Sequence, residues 1–327
     1  PSMQPTDILA LAGRRAGVYG HYLNIRKTSE KVARREKPRS DEEIIYPMIF
    51  RSMLENYQFD QQTVTTLSEQ ELICEKKFLR PRKPMIEVFE HAKTSGKIVI
   101  LVSDMYLSER FLREVLNDCG IMGFSKLYVS SEYNKTKSSG NLFLQVIEDH
   151  KKYGISANEI VHLGDNEKTD VAEAKNVGID AIHIMRTEAA AHLDQTFRRL
   201  EMFSERQCDN TYLLGASINR IFENPFYSAP EKGFISELSP LTIGVIAPLS
   251  LSYIKWILCD CKDKEIHRLI FTNQDGLLLE QVARYLKFFI YPELTSERLA
   301  FPLEANVDYI DDQWHTGNFG VCDYCGS

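Results

Sequence analysis

The sequence of 327 residues predicts an α/β protein with a doubly wound parallel sheet, a helical region before it and a second, smaller α/β domain after it. Residues 1–84 carry apolar side chains mainly at helical spacing. From residue 85 onward, β-branched runs alternate with helical stretches, which is the pattern of a parallel sheet. We predict a helical region at 1–84, an α/β core at 85–200, a linker at 201–230 and a second, incomplete domain at 231–327.

The helical region shows several helix signals. The first helix begins at Pro5-Thr6-Asp7, and a later one runs from Glu69 to Phe78, before the proline-broken stretch RPRKP. The acidic run Asp41-Glu42-Glu43 precedes apolar residues. We predict that this run forms the first turn of another helix, because carboxylates are favourable at the positive end of the helix dipole.

The second predicted helix carries Arg26, Glu30 and Arg34 at a spacing of four residues. Side chains four apart are neighbours on one helix face, and each exposed ion pair there contributes about 0.2–0.5 kcal/mol. We therefore predict a solvated ladder of ion pairs.

Strands and helices alternate in the core. Helices are predicted at Ile86–Thr94, Glu109–Asn117, Leu142–Tyr153 and Ala172–Asn176, with strands at KIVILVS, KLYVSS, EIVHLG and DAIHIM. The run Ile160 to Leu163 is continuously apolar apart from one histidine and enters Gly164. This composition predicts a buried parallel strand followed by a turn.

Polar residues follow these strands one after another. They are Ser103 and Asp104 after the first strand, Lys135 and Lys137 after the second, and Asp165 and Asp170 after the third. The carboxyl ends of parallel strands meet at one edge of the sheet, where ligands bind. Serine and lysine suit a phosphate group, and the two aspartates suit magnesium.

Each of these residues also has an ordinary structural explanation. Ser103 and Asp165 fit turns, Lys137 fits a solvated surface, and Asp170 fits the first turn of a helix. Their order along successive strands favours a phosphate and magnesium site over a chance arrangement.

Three stretches in this order, VSDMYLS, KTKSSGNLF and HLGDNEKTD, resemble motifs two, three and four of the haloacid dehalogenase-like (HAD) hydrolases. The resemblance covers residues 1–190. It extends, through the run RKTSEKVARRE, to a bacterial branch associated with glycosyltransferases and surface polysaccharide synthesis. The resemblance implies that the helical region is a cap domain that closes over the active site.

The resemblance also implies roles for individual residues. Ser103 contacts the phosphoryl group, and Lys137 pairs with the nucleophile and the phosphate, which makes both catalytic. Asp104 belongs to the same substrate-binding group. Asp165 coordinates Mg²⁺, and Asp170 assists directly or through water.

The first HAD motif, an Asp-x-Asp pair that supplies the nucleophile, is missing from this sequence. The nearest substitute, LIFTNQDGLLL, has Asn273 and Gln274 where the nucleophile and its partner are needed. It resembles the second domain of the same branch, with Gln274 in place of the usual arginine. Because the missing strand is central in a HAD sheet, its absence would leave two strand edges unpaired. We expect a fragment of a longer protein, inactive alone, rather than a degenerate pseudoenzyme.

The second domain is predicted to contain the strand HRLIFT, a turn at Asp275-Gly276 and a helix at Leu277–Leu286. The apolar stretch Leu241–Cys259 includes Pro248 and several polar residues. It is too polar to span a bilayer comfortably, so we predict a buried helix and no transmembrane segment.

Composition narrows the partners and the compartment. The net charge of −7 and the isoelectric point near 5.7 argue against nucleic acid as the main partner. Seven scattered cysteines fit a reducing compartment, and we expect a cytoplasmic protein. The pairs Cys259/Cys261 and Cys322/Cys325 are read as free thiols, with a zinc site as the less favoured alternative.

These observations predict a magnesium-dependent HAD-type phosphohydrolase that acts on a small phosphorylated metabolite, such as a sugar phosphate or a nucleotide-linked sugar. The alternative is a non-catalytic phosphate-binding or scaffold module that partners a glycosyltransferase. A glycosyltransferase that itself binds nucleotide sugars ranks last, since it would need an Asp-x-Asp metal motif that the sequence lacks.

Overall fold

The computed structural model describes residues 5–193, 198, 208–226, 242, 246–272, 276–299 and 319–322. The chain divides into two compact units, Pro1–Gly233 and Phe234–Ser327. The described residues form a largely helical α/β structure with small parallel sheets.

The first unit begins with helices. They are α1 (Pro5–Arg15), α2 (Tyr22–Glu36), α3 (Tyr46–Asn56), α4 (Gln61–Phe78) and α5 (Lys83–Thr94). Helix α1 packs against α2 and α4, and α3 packs against α2 and α4. Gly13 allows α1 to approach α2 closely, because a Cβ atom there would lie 2.4 Å from Tyr22 Cδ1.

The helix boundaries correct two predictions. Helix α4 ends at Phe78 as predicted but begins earlier than Glu69, because Asp60 caps it by accepting a hydrogen bond from Thr63 N at 2.6 Å. The acidic run Asp41-Glu42-Glu43 is not the first turn of a helix. Helix α3 begins only at Tyr46, with Pro47 in its first turn, and the acidic side chains bind another part of the chain.

The predicted solvated ladder on α2 is wrong at Arg26. Tyr22, Ser29 and Ala33 lie on the same buried stripe of the helix, so Arg26 is 0% exposed. Its Nε donates to both carboxylate oxygens of Glu71, at 2.9 and 3.0 Å. A fully buried charge requires such a partner, and here the pair links α2 to α4.

The core continues with α6 (Glu109–Asp118), α7 (Ser130–Tyr133), α8 (Asn141–Lys151), α9 (Glu173–Asn176), α10 (Thr187–Leu193) and α11 (Cys208–Ile221). A 3-10 helix spans Ala157–Glu159, and a π-helix spans Glu167–Ala172. The strands are β1 (Ile100–Ser103), β2 (Lys126–Val129), β3 (Val161–Gly164) and β4 (Asp180–His183).

The strands of the core form two parallel pairs, not the single doubly wound sheet that was predicted. Strand β1 pairs with β2, and β3 pairs with β4. Helix α8 joins the pairs, because Val102 before the end of β1 and Ile160 just before β3 both pack against its apolar residues. Within the described residues, each of β1 and β3 is paired on one edge only.

Strand β3 is not buried as predicted, because the face that carries Val161 and Leu163 is exposed. Val161 is 52% exposed and Leu163 is 38% exposed. Helix α5, beside β1 in the sequence, has no buried residue. A strand in a parallel sheet is normally covered on both faces and paired on both edges, so this part of the first unit has apolar surface without a partner among the described residues.

The second unit contains α12 (Ala247–Asp263), β5 (Arg268–Thr272), α13 (Gly276–Ile290), β6 (Thr295–Leu299) and β7 (Phe319–Cys322). Its strands are parallel in the order β6-β5-β7. Helices α12 and α13 pack together through buried residues that include Ile254, Leu258 and Leu279.

Predictions for the second unit hold in part. The strand HRLIFT forms β5, and the helix predicted at Leu277–Leu286 lies within α13. The stretch Leu241–Cys259 is not a wholly buried helix, since α12 begins at Ala247 and exposes Leu249 and Trp256. Asp275 and Cys325 lie outside the described residues.

Every helix in the described part of the chain is too short or too polar to cross a lipid bilayer.

Replacing Arg26 by alanine is expected to lower the free energy of unfolding of the first unit by about 3–5 kcal/mol, because Glu71 would be left as a buried carboxylate without its partner. The matched control is Arg110→Ala. The Arg110 side chain is 90% exposed and pairs with Glu114 one helical turn away, so its loss should cost less than about 0.5 kcal/mol.

Urea unfolding followed by far-UV circular dichroism measures both variants. Tryptophan fluorescence serves as an internal reference, because both tryptophans, Trp256 and Trp314, belong to the second unit. Equal costs for Arg26→Ala and Arg110→Ala would contradict a stabilising role for the buried pair.

Candidate active site

The predicted site residues lie at the carboxyl ends of β1 and β3 and in the loop that enters α8. Ser103 is the last residue of β1, aligned with Val129 of β2, and Asp104 follows it directly. Both carboxylate oxygens of Asp104 accept a hydrogen bond from the backbone N–H of Lys137, at 2.8 and 3.0 Å. This contact joins the end of β1 to the loop at 134–140.

Lys137 also joins this loop to the element after β3. Its ammonium group donates to Asp170 Oδ1 at 2.5 Å, and both side chains are nearly buried. Asp170 Oδ2 accepts a hydrogen bond from Asn166 N at 3.0 Å. The structure therefore brings Asp104, Lys137 and Asp170 together from three separate segments.

The close approach of Asp170 to β3 requires a glycine at position 164. A Cβ atom at Gly164 would lie 2.3 Å from the Cβ atom of Asp170, far inside van der Waals contact. Any side chain there would push Asp170 away from Lys137. The glycine that sequence analysis took as a turn signal thus has a packing role.

The two carboxylates around Lys137 differ in their proton affinity. Burial raises the pKa of Asp104 above its usual value, although the backbone N–H and the charge of Lys137 act in the opposite direction. Burial also opposes ionisation of Asp170. There, hydrogen bonds from His162 and Lys137 outweigh burial and hold the pKa of Asp170 well below its usual value.

Asp165 is placed differently from Asp170. It is half-exposed at the end of β3, and its carboxylate accepts hydrogen bonds from Arg186 Nε at 2.9 Å and from Arg186 Nη2 at 3.3 Å. Among the described residues, Asp165 and Asp170 have different polar partners, Arg186 for the first and Lys137, His162 and Asn166 for the second. Within that same part of the chain, no group of three or more His, Cys, Asp or Glu side chains is arranged to hold a metal ion.

The predicted magnesium ligands fit an ion only in part. Both oxygens of Asp170 already accept hydrogen bonds, whereas the exposed pair between Asp165 and Arg186 is of a weak kind, worth about 0–1 kcal/mol. Asp165 can therefore offer an oxygen to a cation. One carboxylate is a sufficient protein contribution for Mg²⁺, which takes its other ligands from water and substrate phosphate.

Glu42 belongs to this site, although the sequence pattern predicted it only as part of a helix start. Its Oε2 accepts hydrogen bonds from Thr136 N at 2.8 Å, Thr136 Oγ1 at 3.2 Å and Ser139 Oγ at 2.5 Å, and Asn141 Nδ2 donates to Oε1. These partners surround Lys137 in the sequence. They lie 94 to 99 residues after Glu42, so no local pattern could have revealed the contact.

Glu43 is linked to the segment after β1 through Ser130. The buried Glu43 carboxylate accepts hydrogen bonds from Arg34 Nη1 at 2.7 Å and from Ser130 Oγ at 3.3 Å. Ser130 Oγ in turn accepts from Met105 N at 2.8 Å. Neighbouring glutamates thus hold the loops that follow β1 and β2.

His162 is a further residue that sequence analysis did not select. Its Nε2 lies 3.4 Å from Asp170 Oδ1, and its ring meets Phe143 edge-on with centroids 5.0 Å apart. Successive strand residues point to opposite faces, so the alternation around His162 places it opposite Val161 and Leu163. The alternation of His162 with Val161 and Leu163 could have indicated that the histidine lies on the opposite face. The prediction of a continuously apolar, buried strand left it unused.

No protein-family model matches the chain, and no curated protein matches it. Solved structures include two similar folds. One is the magnesium-bound structure of YfnB from Bacillus subtilis, a protein described as a HAD hydrolase. Its sequence identity to this chain is 16% and the TM-score is 0.39, and the match covers 56% of this chain and 83% of YfnB. The other is a 2-haloacid dehalogenase from Pseudomonas syringae pv. tomato DC3000, with 21% identity and a TM-score of 0.39 over 63% of this chain and 81% of that chain.

Likenesses of this size identify neither a family nor an activity. The two neighbours are HAD-type hydrolases, and what they bind or catalyse is a property of those proteins. The function proposed below is therefore supported by the residues of this chain and by their contacts.

The contacts of Glu42 predict a pH-dependent contribution to stability. Burial opposes its ionisation, but hydrogen bonds from Ser139, Thr136 and Asn141 outweigh burial and lower the pKa of Glu42 below its usual value of 4.5. A carboxyl group with a lowered pKa stabilises the fold above its unfolded-state pKa, and this contribution is lost as the pH falls through the folded-state value.

We therefore expect Glu42→Gln to lower the free energy of unfolding by about 1–2 kcal/mol at pH 7, and the difference from the wild type to shrink as the pH falls below about 4.5. Urea midpoints measured across this pH range provide the test. The exposed Glu148→Gln is the control and should match the wild type throughout. A cost for Glu42→Gln that is constant with pH would contradict an ionised, hydrogen-bonded Glu42.

Proposed function

We propose that this protein is a HAD-type phosphohydrolase in which Lys137 and Ser103 act on the phosphoryl group of a small phosphorylated metabolite. The observation that carries the proposal is the position of Lys137. Its backbone N–H binds Asp104 after β1, and its ammonium group binds Asp170 after β3. A nearly buried lysine at this edge of parallel strands is suited to neutralise charge on a phosphate.

The charges at the site support a cation as cofactor. The ammonium group of Lys137 pairs with Asp170, and its backbone N–H binds the second carboxylate, Asp104. One positive charge beside two carboxylates does not attract an anion. A phosphate group would approach more favourably with a divalent cation bound nearby. The proposal therefore includes Mg²⁺, with Asp165 as the residue that would hold it, and the bound ion would neutralise phosphate oxygens.

The attacking carboxylate is proposed to come from a polypeptide segment outside this sequence. Strands β1 and β3 each have an unpaired edge among the described residues. Phe143 of α8 contacts both strands, because Val102 of β1 packs against its cluster and the His162 ring of β3 meets it edge-on. A parallel strand that paired with both edges would end near Asp104 and Asp170, the residues that bind Lys137 from the ends of β1 and β3. An aspartate at its carboxyl end would be placed to attack phosphorus.

In the proposed reaction the aspartate oxygen bonds to phosphorus, and the bond from phosphorus to the ester oxygen breaks. The ester oxygen takes a proton from solvent and leaves as the alcohol. Water then attacks the aspartyl-phosphate, which releases inorganic phosphate, restores the carboxylate and returns a proton to solvent. Ser103 donates a hydrogen bond to a phosphoryl oxygen, Lys137 neutralises negative charge, and Asp170 keeps the Lys137 ammonium group in place.

Other parts of the functional prediction extend beyond these contacts. A cap role for the helical region, a sugar phosphate or nucleotide-linked sugar as substrate, and a glycosyltransferase as partner stay predictions. The alternative of a phosphate-binding scaffold differs from the hydrolase in one measurable property, which is the absence of turnover when the missing carboxylate is supplied.

The first test measures binding of inorganic phosphate by isothermal titration calorimetry in the presence of magnesium chloride. Lys137→Ala is expected to weaken binding at least about tenfold, because a charge-assisted contact to phosphate is lost. Lys135→Ala is the matched control two residues away, since the Lys135 ammonium group donates instead to Gln145 Oε1 at 2.6 Å. Equal effects of the two substitutions would contradict the assigned role of Lys137.

The second test measures phosphate release from p-nitrophenyl phosphate by the protein purified from its natural source. We expect turnover in magnesium, and we expect Lys137→Ala in the same natural protein to lower kcat at least about a hundredfold. Binding of phosphate without turnover in that protein would favour the scaffold alternative over the hydrolase.

A further inference from the structure

We propose that Glu42 is a positioning residue that holds the Lys137 loop, residues 134–141, in the geometry needed to bind phosphate. Glu42 belongs to the segment between α2 and α3, so the helical region would control the phosphate site through one side chain. This inference rests on the proposed function, because it assumes that Lys137 contacts phosphate.

The hydrogen bonds of two consecutive backbone N–H groups define the geometry of the loop. Thr136 N donates to Glu42 at 2.8 Å, and Lys137 N donates to Asp104 at 2.8 Å. One carboxylate comes from the helical region and the other from the end of β1. Fixing adjacent peptide groups from both sides leaves little freedom in the backbone position from which the Lys137 side chain extends.

Glu42 also holds the part of the loop that follows Lys137. Ser139 Oγ donates to Glu42 at 2.5 Å, and Asn141, the first residue of α8, donates through its side-chain amide. A carboxylate accepts at both oxygens, so one side chain can bind donors on either side of Lys137 in the sequence. Glutamine has one acceptor oxygen and would turn an NH₂ group toward some of these donors.

Asn134, at the start of the Lys137 loop, both accepts a hydrogen bond from the 41–42 segment and donates one to it. Asn134 Oδ1 accepts a hydrogen bond from Glu42 N at 3.0 Å, and Asn134 Nδ2 donates to Asp41 at 2.6 Å. Asn134 has a positive φ of 52°, a conformation that asparagine tolerates better than most residues. The Asp41 carboxylate, the backbone N–H of Glu42 and the Glu42 carboxylate thus bind the loop at separate points.

The test is a double-mutant cycle with inorganic phosphate as the ligand and magnesium chloride present. Glu42→Gln is expected to weaken phosphate binding about tenfold in the wild-type background and to have no further effect in the Lys137→Ala background. Glu159→Gln is the matched control. Glu159 also accepts hydrogen bonds from a serine and a backbone N–H, but it caps the 3-10 helix after α8, and its substitution should leave phosphate affinity unchanged.

Hydrogen exchange of the Thr136 amide gives a readout that does not depend on phosphate. It should accelerate about tenfold or more in Glu42→Gln and stay unchanged in Glu159→Gln. Asn141→Ala, which removes one donor and keeps the Glu42 charge, provides a milder variant should Glu42→Gln unfold. It is expected to weaken phosphate binding about threefold.

The outcomes separate this inference from the proposed function. Weaker binding in Lys137→Ala with unchanged binding in both Glu42→Gln and Asn141→Ala would overturn the role of Glu42 alone. Equal weakening by Glu42→Gln in both backgrounds would also overturn it, since Glu42 would then act independently of Lys137. Phosphate binding that does not depend on Lys137 would overturn the proposed function and the inference together.

Discussion

The first unit depends on a contact between two parts of the chain that lie about ninety residues apart: the carboxylates of Glu42 and Glu43 both bind residues that follow β2. Glu42 binds the Lys137 loop, and Glu43 binds Ser130, which in turn binds Met105 N. Hydrogen bonds to charged acceptors are among the stronger ones in proteins, so these contacts couple the helical region to the strand ends firmly. The geometry around Lys137 is therefore set from outside the strands.

The electrostatics of the site follow from that geometry. Lys137 is nearly buried, and its ammonium group pairs with Asp170, whose pKa is held well below its usual value by hydrogen bonds that outweigh burial. A lysine fixed in this way keeps its position when a ligand arrives and loses little entropy on binding. The same arrangement leaves an excess of negative charge around Lys137, which is why the proposed phosphate chemistry calls for a cation at Asp165 and for a neighbouring strand between β1 and β3.

Local sequence signals predicted the elements better than their connections. The helix predicted from Glu109 does begin there as α6, because its cap is local: Ser108 accepts a hydrogen bond from Phe111 N, three residues on, at 3.3 Å. The positions of Arg26 and Glu42 could not be predicted in this way. The charge of Arg26 indicated solvent exposure, but its distant partner Glu71 holds it in the core. The charge of Glu42 indicated a helix start, but its contact with the Lys137 loop determines where it lies. The residues at the strand ends were identified from their order, but only the folded chain shows that Asp170 meets Lys137 while Asp165 pairs with Arg186.

A crystal structure of the protein with sodium tungstate, a phosphate analogue with strong anomalous scattering, would show whether a phosphate-like anion binds beside Lys137. We expect one tungstate ion at the carboxyl ends of β1 and β3, within hydrogen-bonding distance of Lys137 Nζ and Ser103 Oγ, with Glu42 still bound to Thr136. Tungstate bound elsewhere on the chain, with the Lys137 and Asp170 pair undisturbed and solvated, would contradict a phosphate site at these strand ends.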